Sequence, residues 1–296
     1  MNKTVFTGSG VAIITPFNEN GIDFDTLGQL IDFHVENGTD AIVICGTTGE
    51  AATMPDEEHL SAIEYTVKRV NKRIPVVAGT GSNDTVHGIK LSVEAEKLGA
   101  DALLVVTPYY NKSNKQGLIN HFKAIAENVN IPIILYNVPS RTGMSISLDV
   151  LEALKDVDNI VGIKEASGNF SYLMELAANY GDRFDIYSGN DDIIVPVMSV
   201  GGKGVISVLA NVLPKETHDI CQLYLDGKCE ESKKLQFKYL DLINSLFCEV
   251  NPIPVKTALN LMGFNAGKLR LPLYEMDPKN KERLINSLKN AGVKLK

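Results

Sequence analysis

Eight short runs of strand-forming residues recur along the chain, and segments with helical spacing separate most of them. The runs are almost continuously apolar rather than alternating, which is typical of a parallel sheet covered by helices. Their starts lie roughly 20 to 33 residues apart, about the size of one βαβ unit. The runs are GVAIIT at 10–15, AIVIC at 41–45, IPVVAG at 74–79, ALLVVT at 102–107, IPIILYN at 131–137, IVGIK at 160–164, FDIYSG at 184–189 and GVISV at 204–208.

Eight such units favour an α/β fold in which the strands close into a (β/α)8 TIM barrel, rather than an open doubly wound sheet. No Gly, Ser or Pro stretch long enough to be a linker interrupts them. After Pro214 the strand pattern stops and only helical periodicity remains, as in Leu235, Tyr239, Leu242 and Leu246. We therefore predict a catalytic barrel over residues 1–226 and an appended C-terminal helical region over 227–296.

Charge and composition exclude several classes of partner. The formal charge is −7, and no basic stretch concentrates the 29 Lys and Arg residues, which argues against nucleic acid. The longest apolar runs are too short to span a membrane, and the first ten residues lack the apolar core of a signal peptide. We expect a cytoplasmic protein that does not bind membranes.

The cysteines and histidines give no metal-site pattern. The four cysteines form no CxxC pair and have no histidines at zinc-finger spacing, so we expect reduced thiols. The five histidines are scattered, without an HExxH arrangement. The sequence also lacks a cofactor fingerprint, and we expect neither a metal nor a cofactor.

Lys164 directly follows the apolar residues of the sixth run, in NIVGIKEASG at 159–168. Lysine is seldom buried, so the simpler interpretation is a strand that emerges into solvent with its ammonium group snorkelling outward. The alternative is a neutral, nucleophilic amine in a desolvated pocket. In a barrel the active site lies at the carboxyl ends of the strands, where Lys164 is predicted to be. Glu165 is expected to point to the opposite face of the strand.

Other strand ends also carry chemically useful groups. Glycines beside the threonines of CGTTGE let backbone N–H groups approach an anion. The planar guanidinium of the arginine in YNVPSRTG suits a substrate carboxylate. These groups favour covalent amine catalysis, in which a lysine condenses with a ketone while a tyrosine relays protons. The residues are Thr47 and Thr48, Tyr109 and Tyr110, Tyr136, Arg141 in the following loop, and Gly189 in YSGND.

Five motifs, in this order, resemble the dihydrodipicolinate synthase family of Schiff-base pyruvate lyases and aldolases. The resemblance runs from VAIITPF near the N-terminus to the C-terminal helices. It implies a lyase of lysine and diaminopimelate biosynthesis that uses no cofactor. The motifs are GTTGE at 46–50, TPYYNK at 107–112, YNVPSRTG at 136–143, GIKEASG at 162–168 and NPIPVK at 251–256.

The resemblance implies a role for each site residue. Lys164 would form the Schiff base with pyruvate, and Arg141 would bind the carboxylate of the second substrate, L-aspartate 4-semialdehyde. The backbone of Thr48 would hold the pyruvate carboxylate, and the carbonyl of Ile206 would line the pyruvate pocket, with Gly189 also binding substrate. The implied proton relay consists of Tyr136, Thr47 and Tyr110, the last reaching across from a neighbouring subunit.

Two alternatives to this function stay open at the level of sequence. Related enzymes that share the barrel and the lysine cleave N-acetylneuraminate or 2-keto-3-deoxy sugar acids, so fold does not decide the substrate. The paired threonines and Arg141 favour the synthase. A barrel that only binds a metabolite is disfavoured, because such a protein would be expected to have lost Lys164 or a relay residue.

The resemblance also implies regulation and assembly. His59, Asn83 and Tyr109 agree with the lysine effector site of inhibited members, whereas Asp56 and His87 do not, and His87 replaces an acidic residue. Losing a charge-assisted contact of this kind costs about 1.5 to 3 kcal/mol, so we predict weak or absent inhibition by lysine. The role of Tyr110 requires at least a dimer, and the family implies a homotetramer built as a dimer of dimers.

Overall fold

The computed structural model describes residues 4–296, and its eight parallel strands close into a barrel. Each strand pairs with its neighbours in chain order, and β1 closes the barrel against β8 and β2. The predicted TIM barrel is confirmed. The strands are β1 (Gly8–Ala12), β2 (Ala41–Ile44), β3 (Val76–Gly79), β4 (Ala102–Val106), β5 (Ile133–Asn137), β6 (Ile160–Glu165), β7 (Asp185–Ser188) and β8 (Gly204–Ser207).

The first strand differs from its predicted bounds of 10–15, because the chain leaves the sheet after Ala12. The Ile14 N–H donates to the side chain of Asn211 instead of to a strand, at 3.1 Å. A short antiparallel hairpin at 17–22 then precedes the first helix, and the apolar runs gave no signal for it.

Helices cover the outside of the barrel. Several of them begin with a side-chain N-cap. The carboxylate of Asp23 accepts a hydrogen bond from the Thr26 N–H, and the side chains of Asp84, Asn114 and Asn169 accept from backbone N–H groups in the first turns of their helices. The helices that follow the strands are α1 (Phe24–Glu36), α2 (Asp56–Val70), α3 (Thr85–Lys97), α4 (Lys115–Ala126), α5 (Pro139–Thr142), α6 (Leu148–Leu154), α7 (Phe170–Tyr180), α8 (Ile194–Ser199) and α9 (Pro214–Leu225).

Three further helices form the C-terminal part of the chain: α10 (Cys229–Leu246), α11 (Ile253–Met262) and α12 (Pro278–Asn290). The C-terminal helices that the periodicity predicted are therefore present. The division into domains at residue 226 stays a prediction. No helix among residues 4–296 is long and apolar enough to cross a membrane.

Alternation along each strand divides the core into two layers. Ile163 and Leu135 point outward and pack under the helices. Tyr136, Tyr187 and Ile206 point inward and belong to the cluster that fills the barrel. Tyr136, Lys164 and Tyr187 are direct partners across β5, β6 and β7, so the lysine shares one interior layer with two tyrosines.

Candidate active site

Lys164 lies inside the mouth of the barrel and not in solvent. Only 6% of its surface is exposed, and its Nζ atom lies 4.3 Å from the centre of the Tyr136 ring. No carboxylate among the described residues is within salt-bridge distance of this amine. The snorkelling interpretation of the NIVGIKEASG run is therefore wrong for this side chain.

The pKa of the Lys164 amine is lowered to about 8, chiefly because the amine is buried; the charge of Asp191 raises this pKa and that of Arg141 lowers it. A buried ammonium loses hydration that its few neighbours do not replace, so the neutral form becomes accessible near neutral pH. An amine of this kind has the properties required of a nucleophile toward a ketone.

Tyr136 places a phenol beside this amine. It is 8% exposed, and burial raises its pKa, whereas Arg141 and the side chain of Thr47 lower it. Thr47 itself is exposed at the end of the turn that follows β2. Tyr136, Thr47, Arg141 and Lys164 therefore meet at one end of the barrel, as their strand-end positions predicted. Such a phenol is a suitable group for passing protons between solvent and the amine.

Gly189 packs closely against the end of the lysine side chain. A Cβ atom built at this position would lie 3.2 Å from the Cε of Lys164 and 2.6 Å from the Cβ of Ala166. A larger residue would push against the lysine side chain. The buried Ile206 belongs to the same interior cluster as Tyr136. Gly189 and Ile206 therefore both lie close to the interior layer that contains Lys164 and Tyr136.

The turn GTTGE presents one threonine to the site and buries the other. Thr48 is 3% exposed, and its hydroxyl accepts a hydrogen bond from the Nδ2 of Asn251 at 2.9 Å. Its backbone N–H donates no hydrogen bond within the described residues. That N–H is consequently available to an anion such as a carboxylate.

Asn251 connects this turn to Arg141. Its backbone carbonyl accepts from the Nη2 of Arg141 at 3.2 Å, while its side chain holds Thr48. Arg141 lies in the single helical turn of α5, and not in the loop that the sequence predicted, because Pro139 begins a helical turn there. One asparagine from the C-terminal region therefore positions two residues of the candidate site.

A buried ion pair between Lys256 and Glu50 also holds the GTTGE turn in place. The Nζ of Lys256, in α11, lies 2.7 Å from the Oε1 of Glu50 and 2.9 Å from the carbonyl of Thr15. The Arg270 N–H donates to Oε2 of Glu50 at 2.9 Å. Glu50 holds a left-handed backbone conformation at φ 57°, which is uncommon for a residue with a side chain. These contacts hold the turn that carries Thr47 and Thr48.

Glu165 points to the opposite face of the strand from Lys164, as predicted. Its carboxylate accepts from Asn137 at 2.6 Å and from the Ser167 N–H at 2.6 Å. Burial raises the pKa of this carboxyl, whereas the hydrogen bonds from Asn137 and Ser167 lower it. Its position behind the strand gives it a structural role in holding the segment after Lys164.

Tyr110 is the one predicted relay residue that the single chain does not bring to the others. It is 94% exposed and has a left-handed backbone at φ 67°. Nothing within the described residues anchors its side chain. Its predicted role in a neighbouring subunit stays a prediction.

The candidate effector residues lie near the start of α2 and in the loops after β3 and β4. Asn83 donates to the carbonyl of Tyr109 at 3.1 Å, and the buried His59 hydrogen-bonds to the carbonyl of Gly79 at 2.8 Å. Asp56 pairs with both His87 and Lys90, each at 2.8 Å. The carboxylate in this region therefore already has two partners.

Sequence reasoning missed Asn251, Asp191, Lys256 and the role of Glu50. The motif NPIPVK contains Asn251 and Lys256, but only the folded chain brings it to GTTGE. Among residues 4–296 there is no cluster of three or more His, Cys, Asp or Glu side chains able to hold a metal.

Comparison with known proteins agrees with this geometry. The model of the Dihydrodipicolinate synthetase family matches residues 5–291. The 4-hydroxy-tetrahydrodipicolinate synthase of Acetivibrio thermocellus is 56% identical over 99% of this chain and 100% of its own. The 4-hydroxy-tetrahydrodipicolinate synthase 1 of Clostridium acetobutylicum is 58% identical over 98% of this chain and 99% of its own.

The solved structures give the same result. The crystal structure of dihydrodipicolinate synthase from Aquifex aeolicus superposes with a TM-score of 0.96 at 46% identity, covering 98% of this chain and all of that one. A match of this extent includes both the barrel and the C-terminal helices. The chain therefore belongs to the dihydrodipicolinate synthetase family.

Proposed function

We propose that this protein is a 4-hydroxy-tetrahydrodipicolinate synthase, which condenses pyruvate with L-aspartate 4-semialdehyde. The observation that carries the proposal is the buried Lys164 amine, with its lowered pKa, beside the Tyr136 ring and close to Gly189. The identity of 56–58% to synthases over nearly the whole chain supports the same reaction.

The first step is attack of the neutral Lys164 amine on the keto carbon of pyruvate. The N–H of Thr48 would hold the pyruvate carboxylate, and the carbonyl of Ile206 would line the pocket. Loss of water leaves a cationic imine, which draws electrons from the neighbouring carbon so that a proton is lost from the methyl group. The resulting enamine is the carbon nucleophile.

Tyr136 and Thr47 supply the proton transfers of this sequence, because their side chains interact at the mouth of the pocket. Tyr110 completes the relay from a second subunit in this proposal. Its 94% exposure in the single chain leaves the ring free to enter a neighbouring site. We propose a homotetramer arranged as a dimer of dimers, in the cytoplasm.

Arg141 selects the second substrate. Its guanidinium group is exposed at the mouth, yet Asn251 anchors one of its nitrogens. An arginine held in this way presents its remaining donors to the carboxylate of aspartate 4-semialdehyde. The enamine then attacks the aldehyde, and cyclisation with loss of water gives a six-membered heterocycle. The reaction requires no metal or cofactor in this scheme.

A competition among aldehydes tests the proposal. Purified protein is given pyruvate with aspartate 4-semialdehyde, with N-acetylmannosamine or with glyceraldehyde, and consumption of pyruvate is followed. We expect rapid consumption with aspartate 4-semialdehyde and little with the sugars. Faster turnover of either sugar would assign the protein to the aldolase branch instead.

A further inference from the structure

Asn251 is a buried residue that bridges the two carboxylate-binding groups of the scheme above. It lies just before α11, and 6% of its surface is exposed. Its side-chain Nδ2 donates to the Thr48 hydroxyl at 2.9 Å, and its backbone carbonyl accepts from the Nη2 of Arg141 at 3.2 Å. The scheme assigns Thr48 to the carboxylate of pyruvate and Arg141 to the carboxylate of the second substrate. One residue therefore connects the anchoring points of both substrates.

Stability alone does not explain an asparagine at this position. The Oδ1 atom of Asn251 is buried and accepts no hydrogen bond within the described residues. An unpaired buried acceptor costs free energy, which an apolar side chain would avoid. The other end of the amide nevertheless holds Thr48, which lies 203 residues earlier in the sequence. The contact made by the amide therefore points to a role in the site.

Arg141 is fixed at both ends of its side chain. Its backbone belongs to α5, and the next residue, Thr142, accepts from the hydroxyl of Thr107 at 3.0 Å, just past the end of β4. Both of these threonines are buried. The guanidinium group of Arg141 is held by the carbonyl of Asn251. Because Thr48 holds the side chain of the same asparagine, residue 251 sets the distance between the guanidinium group and the Thr48 N–H.

The new carbon–carbon bond forms between these two anchoring points. The enamine carbon attacks the aldehyde carbon, the aldehyde oxygen takes a proton and becomes a hydroxyl group, and the Lys164 nitrogen becomes a cationic imine again. With an aldehyde acid that has no amino group, water then cleaves the imine and releases the amine and a hydroxylated keto acid. Attack requires the two carbons to lie within about 3 to 3.5 Å. The carbon chain between aldehyde and carboxylate must therefore match the distance from the enamine to Arg141.

We propose that Asn251 is a positioning residue that fixes this distance and thereby limits the second substrate to aldehyde acids with the chain length of aspartate 4-semialdehyde. The inference rests on the proposed function and names what sets the length of its second substrate. Replacing the side chain leaves the carbonyl bond to Arg141 in place. It releases residue 251 from Thr48, so the two anchoring points are no longer held at one separation.

The docking of this segment does not depend on the amide alone. The Nζ of Lys256 lies 2.7 Å from Oε1 of Glu50, and the Arg270 N–H donates to Oε2 of Glu50 at 2.9 Å. These contacts hold α11 and the segment after it against the turn that carries Thr48. Asn251→Ala retains all of them. The variant is therefore expected to fold, with a shift confined to the region of residue 251.

The test is a competition between two aldehyde acids. 4-Oxobutanoate has the carbon chain of aspartate 4-semialdehyde without its amino group, and 5-oxopentanoate is one carbon longer. Each protein is given pyruvate with equal concentrations of both acids, and the two aldol products are measured by mass spectrometry. The ratio of their initial rates equals the ratio of kcat/KM for the two acids. That ratio does not change with the amount of folded enzyme.

The unmodified protein is expected to favour 4-oxobutanoate by on the order of 100-fold, because a displacement of about 1 Å at the reacting carbon has an effect of that size. In Asn251→Ala this preference should fall by about tenfold, because the distance between the anchoring points is no longer fixed. The matched control is Asn159→Ala. The Asn159 amide donates to the carbonyls of Ala126 and Val129 at 2.9 and 2.8 Å, at the opposite end of the barrel. This control should keep the preference of the unmodified protein.

Thr48→Val removes the other half of the same hydrogen bond and keeps the backbone N–H. It should reduce the preference as much as Asn251→Ala does. The double variant should reduce it no further, because the two side chains act through one contact. If Asn251→Ala does not fold, Thr48→Val decides the question, and an unchanged preference in Thr48→Val overturns the inference.

A purely structural role for Asn251 predicts a different result. Both products would then decrease together in Asn251→Ala, with an unchanged ratio and a lower melting temperature, and this outcome overturns the inference. The inference is also wrong if the unmodified protein condenses pyruvate with aspartate 4-semialdehyde but shows no preference between the two acids or uses neither. The proposed function is unaffected by those results. It is wrong only if the unmodified protein does not condense pyruvate with aspartate 4-semialdehyde.

Discussion

The ammonium group of Lys256 lies 2.7 Å from the carboxylate of Glu50, and both side chains are shut off from solvent. Lys164 is buried almost as deeply, yet it has no carboxylate at such a distance. Burial lowers the pKa of both amines; Glu50, in direct contact, opposes this effect for Lys256, whereas Asp191, which opposes it for Lys164, is not within salt-bridge distance. One buried lysine therefore holds the structure as a cation, and the other has the properties of a nucleophile.

Replacing Lys256 with methionine should destabilise the protein by about 3 to 5 kcal/mol, because it leaves Glu50 as an uncompensated buried charge. The free energy of unfolding is measured by denaturant titration. Lys256→Met/Glu50→Gln should recover part of the loss. Lys68→Met, which breaks an exposed pair with Glu64, should cost less than about 1 kcal/mol. An equal loss of unfolding free energy in Lys256→Met and Lys68→Met would contradict the special role of the buried pair.

Replacing Tyr136 with phenylalanine should lower kcat by about 10²- to 10⁴-fold, the usual contribution of a proton-transfer group. Tyr187→Phe is the matched control, because this tyrosine lies in the same interior layer but donates its hydroxyl to the Phe6 carbonyl at 2.7 Å. Steady-state kinetics on both variants test the claim. Similar losses of kcat in the two would mean that Tyr136 is not a specific relay.

Replacing Arg141 with alanine should raise KM for aspartate 4-semialdehyde by about 10- to 100-fold, which corresponds to losing a charge-assisted hydrogen bond of about 1.5 to 3 kcal/mol. Adduct formation with pyruvate should persist, because Arg141 meets the second substrate. Arg141→Lys should recover part of the effect through its charge alone. A variant that loses pyruvate binding but keeps its KM for the aldehyde would contradict this assignment.

Lysine should inhibit the enzyme weakly or not at all. His87 stands where sensitive relatives are expected to carry an acidic residue, and the nearby Asp56 is occupied by His87 and Lys90. The measurement is a titration of initial rate with lysine at subsaturating pyruvate. Strong inhibition at physiological lysine concentrations would show that the remaining residues, including Asn83 and Tyr109, suffice for binding.

Local patterns predicted the barrel and much of the candidate site. Continuous apolar runs gave the eight strands because parallel strands are buried on both faces. Lys164 and Tyr136 were found because each lies at or next to the end of such a run, and barrel sites are built at strand ends. Arg141 was placed correctly along the chain but not in its helical turn.

Contacts between distant segments could not be predicted in this way. Asn251 and Thr48 are 203 residues apart in sequence, and Lys256 and Glu50 are 206 apart. No periodicity relates such positions, because only the docking of α11 against the barrel brings them together. Asp191 was missed for a related reason. Its partners Val208 and Leu209 donate through their backbone N–H groups, and the pattern of side chains along the sequence does not reveal such contacts.

The most direct test of the central claim is reduction of the pyruvate complex, followed by mass mapping of both buried lysines. We predict one adduct, on the peptide that contains Lys164, formed at a rate that increases with pH through about 8 as the amine loses its proton. The peptide that contains Lys256 should be unmodified. An unmodified Lys164, or an adduct on Lys256 in its place, would contradict the account.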